Sequence, residues 1–438
     1  MSLMPLYMFG LLFVLVFAGL PVSFALITTA VGFGWLMFGD VVFLQLYGAL
    51  LHTASNYLLA AIPLFIFMGA VLERSGIAKR LFWALQLWMG RMPGGLALST
   101  IAMCAIFAAA SGVVGAVEIV VGLMAIPAMT KAGYKNDLIA GTICAGGSLG
   151  TIIPPSVIVV VYASIAQLSI GTLFAASIIP GLLMVAFFVL YILVRSMLKP
   201  EDAPVIKIED NDMPIGEKLK TTALALFPPL ILIVLVLGSL LAGAASATEA
   251  AAVGAAGTLV LAASFKELNL EMLKGTLIVT LKITAMIMLI VTGGTMFTSI
   301  FAVHGGGSMV RDMVGVIGFG DAGVIIFFLL VVFVAGFILD WVSIVLIFIP
   351  IFTPVINATS IDPVWFAMMV LVVIQTSYLT PPMAPSIFYL RAIAPKSMTY
   401  GHMYKGVLPF VVAQGLVLLV IILFPETTTW LPSLLVGL

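Results

Sequence analysis

The chain has 438 residues, 63% of them hydrophobic and only 8% charged, with a mean hydropathy of +1.30 and a formal net charge of zero. A soluble protein carries about 25% charged residues, so most of this surface must face lipid. The 18 basic residues sit at segment ends and form no run, which excludes nucleic acid as a partner.

A membrane-spanning helix needs about 20 apolar residues. The first apolar stretch, 4–18, has no basic leader and is followed at once by Gly19-Leu20-Pro21 and a second stretch, 22–39. It is therefore expected to stay as a span and not to be cleaved as a signal peptide. Segment 41–57 is short and partly amphipathic, suited to lying along the membrane surface or to forming an ordinary interfacial loop, and a further span is predicted at 50–73. The stretch 94–130 is long enough for two short helices and carries Ser111-Gly112-Val113-Val114-Gly115 near its middle. It reads as a re-entrant hairpin that enters and leaves the bilayer on one side, with a plain crossing as the alternative.

Span 138–166 is interrupted by Gly146-Gly147-Ser148-Leu149-Gly150-Thr151-Ile152-Ile153-Pro154-Pro155-Ser156. Adjacent prolines remove backbone donors and stop a helix, and unwound backbone at membrane depth survives only where protein or a watery cavity satisfies it. A span at 172–197 leads to the hydrophilic stretch 199–220, and spans at 221–243 and 248–265 follow. Segment 266–275 mirrors 41–57 and precedes a span at 276–303, after which His304-Gly305-Gly306-Gly307 reads as a flexible connection. The stretch 322–356 forms a second predicted hairpin, with Ala335-Gly336 leading to Asp340-Trp341-Val342-Ser343. Span 363–394 is broken by Thr380-Pro381-Pro382-Met383-Ala384-Pro385, and a last span covers 405–424.

The fold class that follows is an all-α polytopic membrane protein. Its domains are a first half, 1–198, with its hairpin at about 94–130 and broken helix at about 138–166; a cytoplasmic linker, 199–220; and a second half, 221–438, with its hairpin at about 322–356 and broken helix at about 363–394. The halves align with an offset of roughly 225 residues, which sets Ala125-Ile126-Pro127 on Phe348-Ile349-Pro350 and Pro154-Pro155 on Pro381-Pro382. Placing Arg74, Lys79, Arg80, Arg91, Lys131, Lys135, the linker lysines, Arg391, Lys396 and Lys405 inside obeys the positive-inside rule and inverts one half relative to the other. Interrupted hydrophobic segments at matching places in two halves point to a transporter's binding site.

Where a helix unwinds, freed carbonyls and nearby hydroxyls suit Na⁺, and exposed helix N-termini suit an anion. The Na⁺ candidates are Gly146, Gly147, Ser148 and Thr151 in the first break, Thr376 and Thr380 in the second, and Asp340 at the second hairpin turn. An intramembrane carboxylate is a functional candidate by default. Asp340 fits a cation site or a hairpin-orienting role, while Glu118 is either functional or paired with a basic residue for structure. Cys104 and Cys144 read as small buried hydrophobes, and His52, His304 and His402 lie too far apart in sequence for a metal motif. There is no Gly-x-x-x-x-Gly-Lys-[Ser/Thr] phosphate cradle, so an ion gradient is the expected energy source.

The chain resembles the large membrane subunit of tripartite ATP-independent periplasmic (TRAP) transporters, the DctM-like family. The matching stretches are Gly19-Leu20-Pro21-Val22-Ser23-Phe24-Ala25, Ile62-Pro63-Leu64-Phe65-Ile66-Phe67-Met68-Gly69, Ala108-Ala109-Ala110-Ser111-Gly112, and both proline-interrupted strings. The resemblance implies an elevator-type, Na⁺-coupled importer of organic acids such as C4-dicarboxylates, sialic acid or other sugar acids. It implies a small four-helix membrane subunit, expected here as a separate polypeptide, and a soluble periplasmic substrate-binding protein. By motif position it assigns the substrate to Ser111, Gly112, Ser148, Asp340, Ser343 and Ser377. A stand-alone ion-coupled carboxylate transporter or antiporter of the same superfamily is the second reading, and a membrane scaffold or intramembrane enzyme the third.

Overall fold

A computed structural model of the chain describes residues 3–90, 92–111, 115–205, 213–317, 320–381 and 384–435. Among the described residues all regular structure is helical. In order the helices are α1 (Met4–Phe17), α2 (Val22–Phe38), α3 (Val42–Ala54), α4 (Ala61–Arg74), α5 (Ile77–Met89), α6 (Gly95–Ser111) and α7 (Ala116–Lys131). Then come α8 (Asn136–Ser148), α9 (Val157–Ala166), α10 (Ile170–Leu198), α11 (Ile215–Leu241), α12 (Ala247–Ser264) and α13 (Leu270–Val303). The chain ends with α14 (Gly306–Ile317), α15 (Gly320–Ala335), α16 (Trp341–Ile356), α17 (Pro363–Leu379), α18 (Pro385–Ile393), α19 (Tyr400–Leu423) and α20 (Glu426–Leu435).

Seven helical segments among the described residues are long and apolar enough to cross a bilayer, including α10, α11, α13 and α19. At a rise of about 1.5 Å per residue, the 29-residue α10 is about 43 Å long, enough to pass beyond the hydrocarbon core. Outer helices such as α11 expose Leu224, Phe227, Ile231 and Val234, as lipid-facing surfaces do. The innermost elements are α8, α16 and α17, with α8 buried from Asp137 to Ser148.

Both sequence-predicted interruptions are present. After α8 a tight turn over Leu149–Thr151 leads through Pro154-Pro155 to α9. After α17 the chain leaves the helix at Thr380 and re-enters one at Pro385; Pro382 and Met383 lie outside the described residues. In each predicted hairpin two short helices pack on one another, α6 with α7 and α15 with α16. The turn of the second runs through Gly336 to Asp340, whose carboxylate caps α16 by accepting from the Val342 N–H at 3.1 Å.

Elsewhere the local reading is corrected. The predicted span 50–73 is two helices, because Asn56 breaks it: its side chain accepts from the Leu58 N–H at 3.1 Å and donates to Ser164 at 2.9 Å. Segment 266–275 divides at Asn269, which caps α13 by accepting from the Met272 N–H at 2.8 Å: the residues before it form a short connection and those from Leu270 belong to a helix that runs unbroken for 34 residues. The supposed flexible connection after His304 is a single turn at Gly305 followed directly by α14. Helices α5 and α20, at 13 and 10 residues, are too short to stand out as long apolar runs.

Two features fix α8 against its surroundings. At its middle it crosses α19 backbone to backbone: a Cβ on Gly141 would lie 2.1 Å from the Gly406 carbonyl oxygen, and one on Gly406 would lie 2.1 Å from that of Asp137. Small residues allow such approach between membrane helices. At its start, Arg195 of α10 donates to Asp137 at 2.9 Å and to Asp202 at 2.9 Å, and Lys135 reaches Asp202 at 2.5 Å. The beginning of the hydrophilic linker is thereby tied to the bundle. Burial acts to raise the Asp202 carboxyl, but the hydrogen bonds from Lys135 and Arg195 outweigh it and hold the group below the usual carboxylate range.

Candidate functional site

The two breaks converge on a polar centre. The Ser148 hydroxyl, at the end of α8, donates to the Ala145 carbonyl at 2.8 Å and accepts from two side-chain amides, Gln375 of α17 at 3.1 Å and Gln414 of α19 at 3.3 Å. All three residues are fully buried, and both glutamine Oε1 atoms lack a partner among the described residues. Sequence reading flagged Ser148 and missed both glutamines. The available signal was a lone amide in each of two otherwise apolar runs, which at membrane depth is costly enough to need a reason.

The other first-break candidates are satisfied locally. Thr151 donates to the Ser148 carbonyl and Ser156 to the Thr151 carbonyl, each at 2.8 Å, while the Gly146 and Gly147 carbonyls accept from the Leu149 N–H. In the second break, Thr376, Ser377 and Thr380 donate to the Val372, Ile374 and Thr376 carbonyls of their own helix. Threonine and serine in membrane helices commonly bond this way.

Glu118, three residues beyond Gly115 on α7, is fully buried against this centre. A Cβ on Gly147 would lie 1.9 Å from its Cγ, so glycine there makes room for the carboxylate side chain. One carboxyl oxygen accepts from Ser386, at the start of α18, at 2.7 Å, and the other has no partner among the described residues. The basic partner considered for Glu118 is replaced by this serine, which joins the first hairpin to the second broken helix.

A cavity of about 310 Å³ opens beside the second break, with Gly336, Asp340, Trp341, Ser377, Tyr378 and Tyr389 on its wall. The second hairpin reaches the second broken helix here: a Cβ on Gly336 would lie 2.2 Å from the Ser377 hydroxyl. Ser343 donates to Asp340 and so steadies its carboxylate. Asp340 and Ser377 are thus brought to one cavity, with Ser343 directly behind, and Tyr378 and Tyr389 are wall residues that sequence reading did not single out. Ser148 belongs to the neighbouring amide centre. Gly112 lies outside the described residues, and Ser111 is placed as the last residue of α6.

Chemically, this region offers oxygen donors and aromatic hydroxyls. Among the described residues no three His, Cys, Asp or Glu gather as a metal-binding group. Carboxylate, hydroxyl and amide oxygens suit a hard cation more than a soft transition metal.

Paired broken helices, paired helical hairpins and a polar centre between them define an integral membrane transporter architecture. The fold is similar to that of the Alcanivorax borkumensis YdaH transporter, whose crystal structure was described as having an unusual topology; the TM-score is 0.61 at 13% identity, covering 97% of this chain and 99% of that one. Residues 9–427 match the family described as the tripartite ATP-independent periplasmic transporter, DctM component. The chain is 31% identical to the C4-dicarboxylate TRAP transporter large permease protein DctM of Pseudomonas aeruginosa over 387 residues, 88% of each chain. It is 31% identical to the ectoine TRAP transporter large permease protein TeaC of Halomonas elongata, over 99% of each. It is 30% identical to the sialic acid TRAP transporter large permease protein SiaM of Vibrio cholerae, over 97% of each. The chain belongs to the DctM component family of TRAP transporters, and is a multi-pass permease subunit of the bacterial inner membrane.

Proposed function

We propose that this chain is the Na⁺-coupled permease of an importer of small organic acids, fed by a periplasmic binding protein and completed by a small four-helix membrane subunit. The observation that carries this reading is the cavity beside Asp340 and Ser377, where the second hairpin meets the second broken helix. Its volume, about 310 Å³, lies at the small end of the range for ligand pockets. The relatives are named for C4-dicarboxylate, ectoine and sialic acid, and all of these compounds carry a carboxylate.

Asp340 gives the coupling a physical basis. Two like charges about 4 Å apart repel by about 4 kcal/mol at an effective dielectric of 20, so beside an ionised Asp340 a substrate carboxylate enters this cavity favourably only with a cation present. Na⁺ fits the oxygen donors present, and Glu118, Gln375 and Gln414 each hold a buried oxygen without a partner among the described residues. Na⁺ supplies the positive charge when bound; Asp340 and Ser343 would hold it near the hairpin turn, with the Gln375 and Gln414 Oε1 atoms and the second Glu118 oxygen as the donor set at the first break. The N-terminus of α18 and the Tyr378 and Tyr389 hydroxyls would orient the substrate anion. Linkage then requires that Na⁺ and substrate raise one another's affinity equally. Transport proceeds by movement of a body containing the hairpins and broken helices relative to the remaining helices, in the manner of an elevator.

The test is uptake into proteoliposomes holding this chain and its small subunit, with binding protein preloaded with a labelled carboxylate, with and without an inward Na⁺ gradient. Uptake should require both binding protein and Na⁺. Uptake without binding protein would transfer the chain to the stand-alone reading, and no uptake under any gradient, from folded protein, would remove the transport assignment. Asp340→Asn should flatten the Na⁺ dependence; a curve unchanged from wild type would take Asp340 out of the cation site.

A further inference from the structure

A second cavity, of about 950 Å³, opens where the C-terminus of α10 meets the N-termini of α8 and α19. Its charges do not cancel. Lys135, Arg195, Lys199 and Lys405 stand on its wall against Asp137 and Asp202. Arg195 takes both carboxylates, at 2.9 and 2.8 Å, and Lys135 closes on Asp202 at 2.5 Å. Lys199 and Lys405 are left over, both exposed, with no further carboxylate on the wall among the described residues. The nearby Glu201 is exposed and lies off the wall.

Of the helix ends here, α8 and α19 each present an N-terminus worth about half a positive charge, while the C-terminus of α10 offsets one of them, so the remainder is still positive. His402 also lines the cavity and accepts from the Thr399 N–H through Nδ1 at 3.2 Å, which leaves its own N–H on Nε2 as a donor. The wall has an apolar side too. Val194, Leu198 and Leu408 line it and are 45%, 76% and 58% exposed. A small inorganic anion has no use for that strip, whereas a lipid needs both parts: a phosphate for the lysines and an acyl chain for the leucines.

We propose that this cavity is a binding site for an anionic phospholipid, with the headgroup phosphate on Lys199, Lys405 and His402 and the acyl chains along Val194, Leu198 and Leu408. Basic pockets between membrane helices at the cytoplasmic face suit such headgroups, and the distribution of lysine and arginine places this end of the bundle inside. The site is independent of the substrate and of Na⁺, so its test stands apart from the uptake assay.

Full-length protein is purified in mild detergent, and binding of added phosphatidylglycerol is titrated by native mass spectrometry, with phosphatidylcholine and inorganic phosphate as the comparison probes. The Lys199→Ala/Lys405→Ala pair should bind phosphatidylglycerol about 30-fold more weakly, on about 1 kcal/mol per basic residue near an anionic surface. Lys282→Ala, at an exposed lysine on α13, should bind like wild type. Thermal unfolding of each variant confirms folding, and Lys199→Gln/Lys405→Gln repeats the test should the alanine pair unfold early. Equal binding by the paired variant overturns the proposal. So does phosphatidylcholine binding as tight as phosphatidylglycerol, or inorganic phosphate competing as effectively as the lipid, which would make this an anion site without an acyl component.

Discussion

Replacing Arg195 with methionine removes the cation that holds the start of the linker to α8. Arg195 donates to Asp137 Oδ2, Asp202 Oδ2 and the Tyr191 hydroxyl, each at 2.9 Å. Its side chain is 15% exposed and those of the two aspartates 9% and 3%. In Arg195→Met, Asp202 keeps Lys135, while Asp137 loses its cation. Breaking a buried ion pair from one side costs about 3–5 kcal/mol. The network borders an open cavity and one aspartate keeps a lysine, so the lower end, about 3 kcal/mol, is expected.

The assay is thermal unfolding in mild detergent as a function of pH. Asp202 titrates below the usual carboxylate range in the folded protein, so its stabilising share is present above the unfolded value and disappears as pH falls through the lower folded one. Wild type should hold this share until below about pH 4. Without Arg195 one of the lowering partners is gone, so this share should be smaller and its loss complete at a higher pH. Asp137→Asn added to Arg195→Met should recover part of the stability by removing the stranded charge. An Arg195→Met protein that unfolds with wild type, or an acid limb that does not move, would refute the reasoning.

Ser148→Ala removes the shared acceptor of two buried amides and should cost about 1–3 kcal/mol; unfolding within error of wild type would mean the amides find other partners. Gly141→Ala sets a methyl 2.1 Å from a backbone oxygen of α19, which cannot rotate away. The helices must part, at about 1–3 kcal/mol or more, and the loss should appear as reduced monodisperse protein in fluorescence-detected size exclusion. An unchanged profile would place α8 and α19 farther apart than described.

The breaks at Pro154-Pro155 and near Pro381 were legible because proline acts locally, through a missing donor that no tertiary contact restores. The hairpin helices were legible for a similar reason, small residues marking a turn within an apolar run. Helix boundaries set by a single side chain were not: Asn56 splits a stretch that hydropathy joins, and Asn269 starts a helix that hydropathy begins later. In the candidate site, Asp340 stood out as a charge at depth. Its convergence with Ser377 is a long-range property of packing. Gln375 and Gln414 were invisible for the opposite reason, each being one uncharged residue whose meaning comes only from the serine between them. Glu118 was visible, but the serine that receives it lies 268 positions away.

The Ser148 hydroxyl, with the glycine crossing below it, has a kinematic consequence. A hydroxyl shared by α8, α17 and α19 ties the first broken helix, the second and α19 at one point, and the backbone contact at Gly141 and Gly406 meshes α8 with α19 like teeth. Such a joint transmits displacement and does not shear. Under the proposed elevator movement, α19 is ballast that travels with the broken helices, which extends the moving body by one helix and sets its seam on the far side of α19.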